Sequence, residues 1–241
     1  MAQLADKAEV KGFYDRFESE DIGLHLSIRH FTIFKELVRS GLRKDHHVLE
    51  IGSGYGPVTH LMASYLKKGR VLATDISQGR ITAAKQLLSK HANVDYEVVD
   101  VADFQTDRKF DAIVLPDVLE HIPEEDHDRL FEAFARFLKP DGFIFIHIPH
   151  PLCIDFIRKH EPETLQIIDQ ALSSDRMLQR AYRNGFYLVR LESRALSRSF
   201  EDYEVIVFRR NRPDESYTLQ PQPKIIWQKF WRRVFWWCHC L

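Results

Sequence analysis

The chain has 241 residues, a length that suits one α/β domain with short additions and a substantial core. Its 34 basic and 35 acidic side chains give a formal net charge of -1, so no overall attraction to nucleic acid is expected. The three cysteines, Cys153, Cys238 and Cys240, form no disulfide framework, which makes a reducing cytoplasm the default expectation. The opening residues lack an apolar signal core, and no run of about twenty apolar residues follows to predict a membrane-spanning helix.

Residues 1–41 are predicted to form an N-terminal helical cap. Phe13-Tyr14-Asp15-Arg16-Phe17 is expected to be a short helix ahead of the domain. From Ser27 to Ser40 the apolar positions follow helical spacing, and Gly41 provides a stop. This second helix would deliver the chain to the first strand.

The stretch from Val48 to Thr59 combines a strand, a glycine turn and a helix start. The apolar run Val48–Ile51 suits a buried strand of a parallel sheet. Three glycines at alternate positions follow it: Gly52, Gly54 and Gly56. They allow the backbone to turn sharply and to approach a ligand, and Pro57 suits the first turn of a helix. Together these features predict a nucleotide-binding crevice.

The details of this turn point to a particular class of nucleotide. The spacing is Gly-x-Gly-x-Gly rather than the dinucleotide pattern Gly-x-Gly-x-x-Gly, and Glu50 precedes the first glycine by two residues. A carboxylate there would repel pyrophosphate but could help to hold an ammonium or sulfonium charge. The segment closely resembles motif I of class I S-adenosylmethionine-dependent methyltransferases. The resemblance implies S-adenosylmethionine as cofactor, bound near Glu50 and the turn Gly52, Ser53, Gly54 and Gly56, with Tyr14 folding over it.

The same resemblance implies a Rossmann-like α/β fold. It has a seven-stranded, mostly parallel sheet with helices on both faces and an antiparallel last strand. The methyltransferase domain is expected to span residues 42–210.

Two further acids follow predicted strands. Asp75 ends the strand Val71–Asp75, about twenty residues beyond the glycine turn, where a carboxylate can accept both ribose hydroxyls. A nicotinamide enzyme would use the same device, and an Asp at a strand end is often a turn residue. Asp100 follows the strand Val94–Val99, and the family places an acid here against the adenine amino group. Ile76 and Val101 would then flank the nucleoside.

The fourth strand, Phe110 to Leu115, runs into the segment Pro116–Pro123. In open α/β sheets ligands lie at the carboxyl ends of strands, so this end should lie beside the methyl group, with Pro116 at the cofactor. The Asp-x-Leu-Glu-His-x-Pro pattern is similar to quinone-biosynthetic and other small-molecule methyltransferases. It does not match the signature of enzymes that methylate exocyclic amines of DNA bases, which disfavours a nucleobase substrate.

His121 is the best-placed general base, because imidazole titrates near neutrality. Phosphobase methyltransferases place a histidine similarly, working with an N-terminal tyrosine, so the analogy makes His121 and Tyr14 the candidate catalytic residues. A histidine that merely stands at the start of a helix is the alternative. His147, His150 and Cys153 are strung along one local stretch, so no metal site is expected.

The remainder of the domain follows the family order. A helix is predicted over Glu124–Leu138, then a turn at Lys139-Pro140-Asp141-Gly142 and a fifth strand, Phe143–Ile148. The polar and weakly periodic region 149–185 is expected to be an insertion over the acceptor site. Two β-rich runs, at 186–191 and 203–208, would complete the sheet.

The tail, residues 224–241, differs from everything before it. It follows a proline-containing linker at 211–223 and holds all four tryptophans beside four cations. One interpretation is an interfacial helix that places the protein peripherally on the inner face of a membrane. The other is a segment that docks on its own domain or on a second subunit. The sequence leaves both open, together with the oligomeric state.

These patterns predict S-adenosylmethionine-dependent methyl transfer to an oxygen, nitrogen or carbon of a small-molecule acceptor, which could be lipophilic or lipid-linked. A non-catalytic S-adenosylmethionine-binding module is one alternative. A nicotinamide-dependent oxidoreductase is another, and the glycine spacing and Glu50 argue against it. The identity of the acceptor stays open.

Overall fold

The computed structural model describes residues 23–166 and 168–211, together with Trp227. The chain divides into two units, Met1–Arg210 and Asn211–Leu241. Tyr14 and the predicted helix at 13–17 lie outside the described residues, as does the 224–241 tail apart from Trp227. No helix within the described ranges is long and apolar enough to cross a membrane.

A single sheet of seven strands forms the centre of the first unit, in the order β3-β2-β1-β4-β5-β7-β6. The strands are β1 His47–Ile51, β2 Arg70–Asp75, β3 Val94–Val98, β4 Phe110–Pro116, β5 Leu138–Pro149, β6 Phe186–Arg194 and β7 Tyr203–Arg210. The first five pair in parallel, and β7 runs antiparallel between β5 and β6. The predicted fold class is confirmed.

Six α-helices accompany these strands in the described residues. They are α1 Ile28–Arg39, α2 Pro57–Tyr65, α3 Gln78–Leu87, α4 His127–Phe137, α5 Pro151–His160 and α6 Ser174–Arg183. Ser27 caps α1 and Gly41, at φ +116°, follows its end, while Pro57 occupies the first turn of α2 as predicted. Four short 3₁₀ turns also occur, and that at Leu119–His121 carries the histidine singled out above.

One prediction of local structure was wrong. The expected turn at residues 139–142 is part of β5, which starts beside Phe110 and shifts register against β4 before Ala112. A Cβ atom on Gly142 would lie 3.0 Å from the Asp111 carbonyl oxygen, so glycine permits this irregular pairing. The segment 149–185, for which no helix was predicted, contains α5 and α6.

The sheet packs between two apolar layers because successive strand residues point to opposite faces. Val48 and the residues on the same face of the sheet pack with α1 and α2, whereas Leu49 and the residues on the opposite face pack with α4 and α6. Both layers are fully buried, and the carboxyl ends of β1, β2, β4 and β5 meet at one edge. The polar residues that follow these strands therefore share that edge.

Candidate active site

The glycine turn after β1 adopts a backbone that side chains disfavour. Its three glycines have φ of +70°, +56° and +88° in order: Gly52, Gly54 and Gly56. A Cβ atom on Gly52 would lie 2.4 Å from Val118 Cγ2, whereas one on Gly54 would meet nothing within 4 Å. Gly52 is thus required for close packing against the loop after β4, and Gly54 leaves open space in front of the backbone. This open space is what a bound nucleoside needs.

Asp75, at the carboxyl end of β2, is fixed by the backbone of the turn. The Gly54 N–H donates to Oδ2 at 2.8 Å, and the Ser77 N–H donates to Oδ1 at 2.9 Å. Ser77 itself caps α3 by accepting a hydrogen bond from the Arg80 N–H at 3.2 Å. Each carboxylate oxygen keeps a second lone pair for a ligand hydroxyl.

The first of three cavities, here called the Asp75 cavity, has a volume of about 190 Å³. It brings together the predicted nucleoside residues with two groups from the loop after β4. Its walls include Gly52, Asp75, Ile76, Asp100, Val101, Asp117 and His121. The carboxyl ends of β1 to β4 therefore form one continuous crevice.

The second cavity, the Glu50 cavity, measures about 350 Å³ and is lined by Glu50, Gly52, Ser53, Gly54, Pro116 and Asp117 among others. It shares Gly52 and Asp117 with the Asp75 cavity, so the two lie on either side of the same turn. Gly56 stands behind the turn as the N-cap residue of α2. Ser53 Oγ is buried and has no hydrogen-bond partner among the described residues.

Glu50 has no exposed surface and accepts a hydrogen bond from Thr59 Oγ1 at 2.5 Å. Its other oxygen, Oε1, is buried without a hydrogen-bond partner in the described chain. Burial, reinforced by the charge of Asp75 and only partly offset by the Thr59 hydrogen bond, raises the pKa of Glu50 to about 8. A cation placed beside this oxygen would favour the carboxylate form, which fits a cofactor that carries an ammonium and a sulfonium group.

His121 lies at the wall between the Asp75 cavity and the third cavity. Its Nδ1 is 2.5 Å from the Ile168 carbonyl oxygen and 3.1 Å from Asp169 Oδ1. Both partners accept hydrogen bonds, so Nδ1 carries the proton and Nε2 is the nitrogen that can act as a base. Burial alone would lower the pKa of His121, but the hydrogen bond to Asp169 and the charge of Glu120 outweigh it and raise the pKa to about 9.

The third cavity, the Arg198 cavity, measures about 320 Å³. The loop after β4 supplies Asp117 and His121, and α1 supplies Arg29. The insertion supplies Ile154, Ile157, Leu165 and Asp169. Arg198 and Tyr203 come from the end of the sheet. Part of this lining therefore comes from the insertion predicted at 149–185. Its lining combines apolar side chains with several polar and charged groups, as in many small-molecule sites.

Sequence reasoning missed several of these residues. Asp169 lies in the insertion, where no pattern marked it, and Arg29 lies in a helix predicted only for its apolar face. The direction of the His147 side chain depends on the register of β5, because successive strand residues point to opposite faces of the sheet. In the structure His147 is fully buried and contacts Asp117, whereas His150 accepts a hydrogen bond from the Leu152 N–H at the start of α5.

Residues 48–142 match a family model described as a methyltransferase domain. A ubiquinone biosynthesis O-methyltransferase from Coxiella burnetii is 31% identical over 105 residues, which are 42% of this chain and 43% of that protein. Another from Xanthomonas oryzae pv. oryzae is 33% identical over 102 residues, 41% of each chain. The alignments span less than half the length of these curated relatives.

Solved structures share the fold at low sequence identity. The N-methyltransferase NodS from Bradyrhizobium japonicum superposes with a TM-score of 0.60 and 18% identity, covering 76% of this chain and 95% of that one. Magnesium protoporphyrin IX methyltransferase from Synechocystis, with bound SAH, gives a TM-score of 0.64 and 18% identity, covering 86% and 100%. The matched domain, and the seven-stranded sheet order common to these folds, favour a methyltransferase over a nicotinamide oxidoreductase.

Proposed function

We propose that this chain, which carries a class I S-adenosylmethionine-dependent methyltransferase domain, methylates the hydroxyl oxygen of a small phenol. The observation that carries the proposal is His121, held through Nδ1 by Asp169 at the wall shared by two cavities. An oxygen nucleophile benefits from a general base, and the curated relatives described above are O-methyltransferases.

S-adenosylmethionine is the cofactor, and its bound form supplies an activated methyl group. In this proposal the nucleoside occupies the Asp75 cavity, with Asp75 at the ribose and Asp100 at the adenine amino group, while Ile76 and Val101 flank the ring. The charged end lies in the Glu50 cavity beside Glu50, the glycine turn and Pro116. Tyr14, outside the described residues, is proposed to close over it.

The raised pKa of His121 favours a phenolic hydroxyl as the acceptor group. Proton transfer is efficient when donor and acceptor have similar pKa values, and a phenol titrates near 10, as tyrosine does. An imidazole with a pKa of about 9 suits such a group, whereas an aliphatic hydroxyl holds its proton far more tightly. Nε2 of His121 would take the phenol proton, and the oxygen would attack the methyl group that bound S-adenosylmethionine would supply, with S-adenosylhomocysteine as the leaving group.

The test is transfer of labelled methyl groups to a panel of phenol, catechol, hydroquinone and 4-hydroxybenzoate. His121→Gln should lower turnover on the order of a hundredfold or more while leaving the Kd of S-adenosylhomocysteine within about twofold, since its role concerns the acceptor. No transfer by the wild-type protein to any of the four phenols would overturn the proposed function, and cofactor binding alone would then favour the non-catalytic module.

The pH dependence provides a second test. The base form of His121 exists above its pKa, so turnover should rise with pH and level off above about 9. Asp169→Asn removes the carboxylate that raises this pKa, and the rising limb should therefore move to lower pH with a lower plateau. If the rising part of the pH profile of Asp169→Asn lies at the same pH as in the wild type, a group other than His121 controls the rise in turnover.

We also propose that residues 224–241 bring this cytoplasmic domain to the inner face of a membrane, which would suit a lipophilic phenol. The support is the sequence, which pairs tryptophans with the cations Lys224, Lys229, Arg232 and Arg233, each worth about 1 kcal/mol near anionic lipid. Full-length protein should sediment with anionic vesicles in low salt, whereas a version ending at Arg212 should not. Equal sedimentation of the two forms would overturn the membrane proposal. Equal sedimentation together with a lower melting temperature of the shortened protein would favour docking of the tail on the protein.

A further inference from the structure

The residue that follows β4 has an unusual backbone. Asp117 has φ +55° and is the sole non-glycine residue with positive φ among those the structure describes. Its N–H donates to the His147 carbonyl oxygen at 2.8 Å, which links the ends of β4 and β5. Unfavourable backbone conformations of this kind concentrate at binding sites, where the surrounding structure holds a side chain in a required direction.

The Asp117 carboxylate is held by two cationic or hydrogen-donating groups. His147 Nδ1 donates to Oδ1, and Arg29 Nη1 lies 3.3 Å from Oδ2. His147 is itself fixed by stacking on Tyr203, with ring centroids 4.7 Å apart, and Arg29 donates to the Tyr203 hydroxyl at 3.0 Å. Asp117, His147, Arg29 and Tyr203 thus form one cluster that joins α1 to three strand ends.

The position of this cluster distinguishes it from an ordinary structural network. Asp117 lines the Asp75 cavity, the Glu50 cavity and the Arg198 cavity. Only two other residues in the described chain, His121 and Gln166, line both the Asp75 cavity and the Arg198 cavity. The Asp117 side chain is 16% exposed, so part of the carboxylate faces these cavities rather than the protein interior.

We propose that Asp117 is an acceptor-binding residue that takes a hydrogen bond from an O–H or N–H group of the methyl acceptor, and that His147 is the positioning residue behind it. A carboxylate offers about four lone-pair sites, of which His147 and Arg29 occupy two. The site therefore selects acceptors that present a hydrogen-bond donor and disfavours those with a carboxylate at the same place. This inference rests on the proposed methyl transfer.

Variants at position 117 can be chosen to suit its backbone. Asparagine and glycine both tolerate positive φ, so Asp117→Asn and Asp117→Gly remove the negative charge without adding backbone strain. With the phenol that the wild-type protein methylates fastest, kcat/KM should fall on the order of tenfold to a hundredfold, as expected for loss of a charged hydrogen-bond partner. The Kd of S-adenosylhomocysteine should stay within about twofold.

His147 provides a matched pair of variants. His147→Asn retains an N–H donor close to the position of Nδ1, whereas His147→Leu has no donor. His147→Asn should therefore keep most of the acceptor kcat/KM, and His147→Leu should lose as much as Asp117→Asn does. A merely structural role would lower the melting temperature in parallel with activity and would not separate the two variants.

The outcomes separate this inference from the function on which it rests. Lack of transfer by the wild-type protein overturns the proposed function and the inference with it. Wild-type transfer with an unchanged acceptor kcat/KM in both Asp117 variants overturns the inference alone. A weakened Kd for S-adenosylhomocysteine in those variants would assign the carboxylate to the cofactor instead.

Discussion

Glu50 shows how one buried side chain connects folding to ligand binding. Its ordinary pKa is 4.5 and burial raises that value to about 8, so the folded protein retains a proton that the unfolded chain releases between these values. Stability falls as pH rises wherever the folded state binds more protons than the unfolded state. The unfolding free energy of the cofactor-free protein should therefore decrease from pH 5.5 to pH 8.

Glu50→Gln tests this prediction, because glutamine cannot ionise. Urea unfolding at the two pH values should show a smaller loss of stability in the variant than in the wild type, by on the order of 1–4 kcal/mol. Glu120, whose pKa burial also raises, is present in both proteins and cancels in the difference. Equal losses in the two proteins would contradict a raised pKa at Glu50.

A related prediction concerns the cofactor. A cation beside Glu50 Oε1 stabilises the carboxylate, so binding of S-adenosylmethionine near pH 7 should release a proton from the protein. Calorimetry in two buffers of different ionisation enthalpy measures this proton directly. Glu50→Gln should bind S-adenosylmethionine more weakly and should release fewer protons on binding. Proton release equal to that of the wild type would show that the cation of the cofactor does not lie beside Glu50.

At the scale of the element, the glycine turn separates folding from binding. Gly54→Ala adds a methyl group to open space, so the backbone strain should cost about 1–2 kcal/mol while the methyl group obstructs the cofactor. Gly52→Ala incurs the same strain and also meets Val118 at 2.4 Å. We expect Gly52→Ala to lower the melting temperature clearly more than Gly54→Ala does. Both variants should bind S-adenosylhomocysteine more weakly than the wild type. A Gly54→Ala protein with wild-type affinity would exclude close approach of the cofactor at this turn.

The parallel strands and the acids at their ends could be predicted because both follow from local pattern. Val48 to Ile51 is apolar apart from Glu50, as suits a strand buried on two faces, and Asp75 and Asp100 stand at the ends of the next two predicted strands. The backbone of Asp117 could not be predicted, since its positive φ depends on contacts with β5 and α1. The helices α5 and α6 were missed because their buried positions are few: Cys153 and Ile154 in one, Met177 and Ala181 in the other.

For the whole molecule, a buried ionic cluster fixes α1 to the edge of the sheet. Glu36, 4% exposed, accepts from Arg190 at 2.8 Å, from Arg194 at 3.2 Å and from Arg39 at 3.3 Å. Arg190 and Arg194 belong to β6, the edge strand farthest from β3. Since α1 also carries Arg29, the same cluster fixes the helix that supplies a partner to Asp117.

Removal of Glu36 should therefore affect stability and the acceptor site together. Glu36→Ala removes the carboxylate that Arg190 and Arg194 share. Loss of one partner from a buried ion pair costs about 3–5 kcal/mol, and the cost should lie at the lower end because Arg194 and Arg190 stay 2.7 Å and 3.8 Å from Glu192. Arg70→Ala is the matched control: its pair with Asp95 is exposed on both sides, so its loss should cost less than about 1 kcal/mol. In Glu36→Ala the acceptor KM should rise, because α1 contributes to the Arg198 cavity through Arg29. The Kd of S-adenosylhomocysteine should also weaken, because Arg29, His30 and Ile33 of α1 line the Glu50 cavity. Urea unfolding and steady-state kinetics on the two variants measure both effects. A Glu36→Ala protein as stable as Arg70→Ala would show that this cluster does not hold α1 in place.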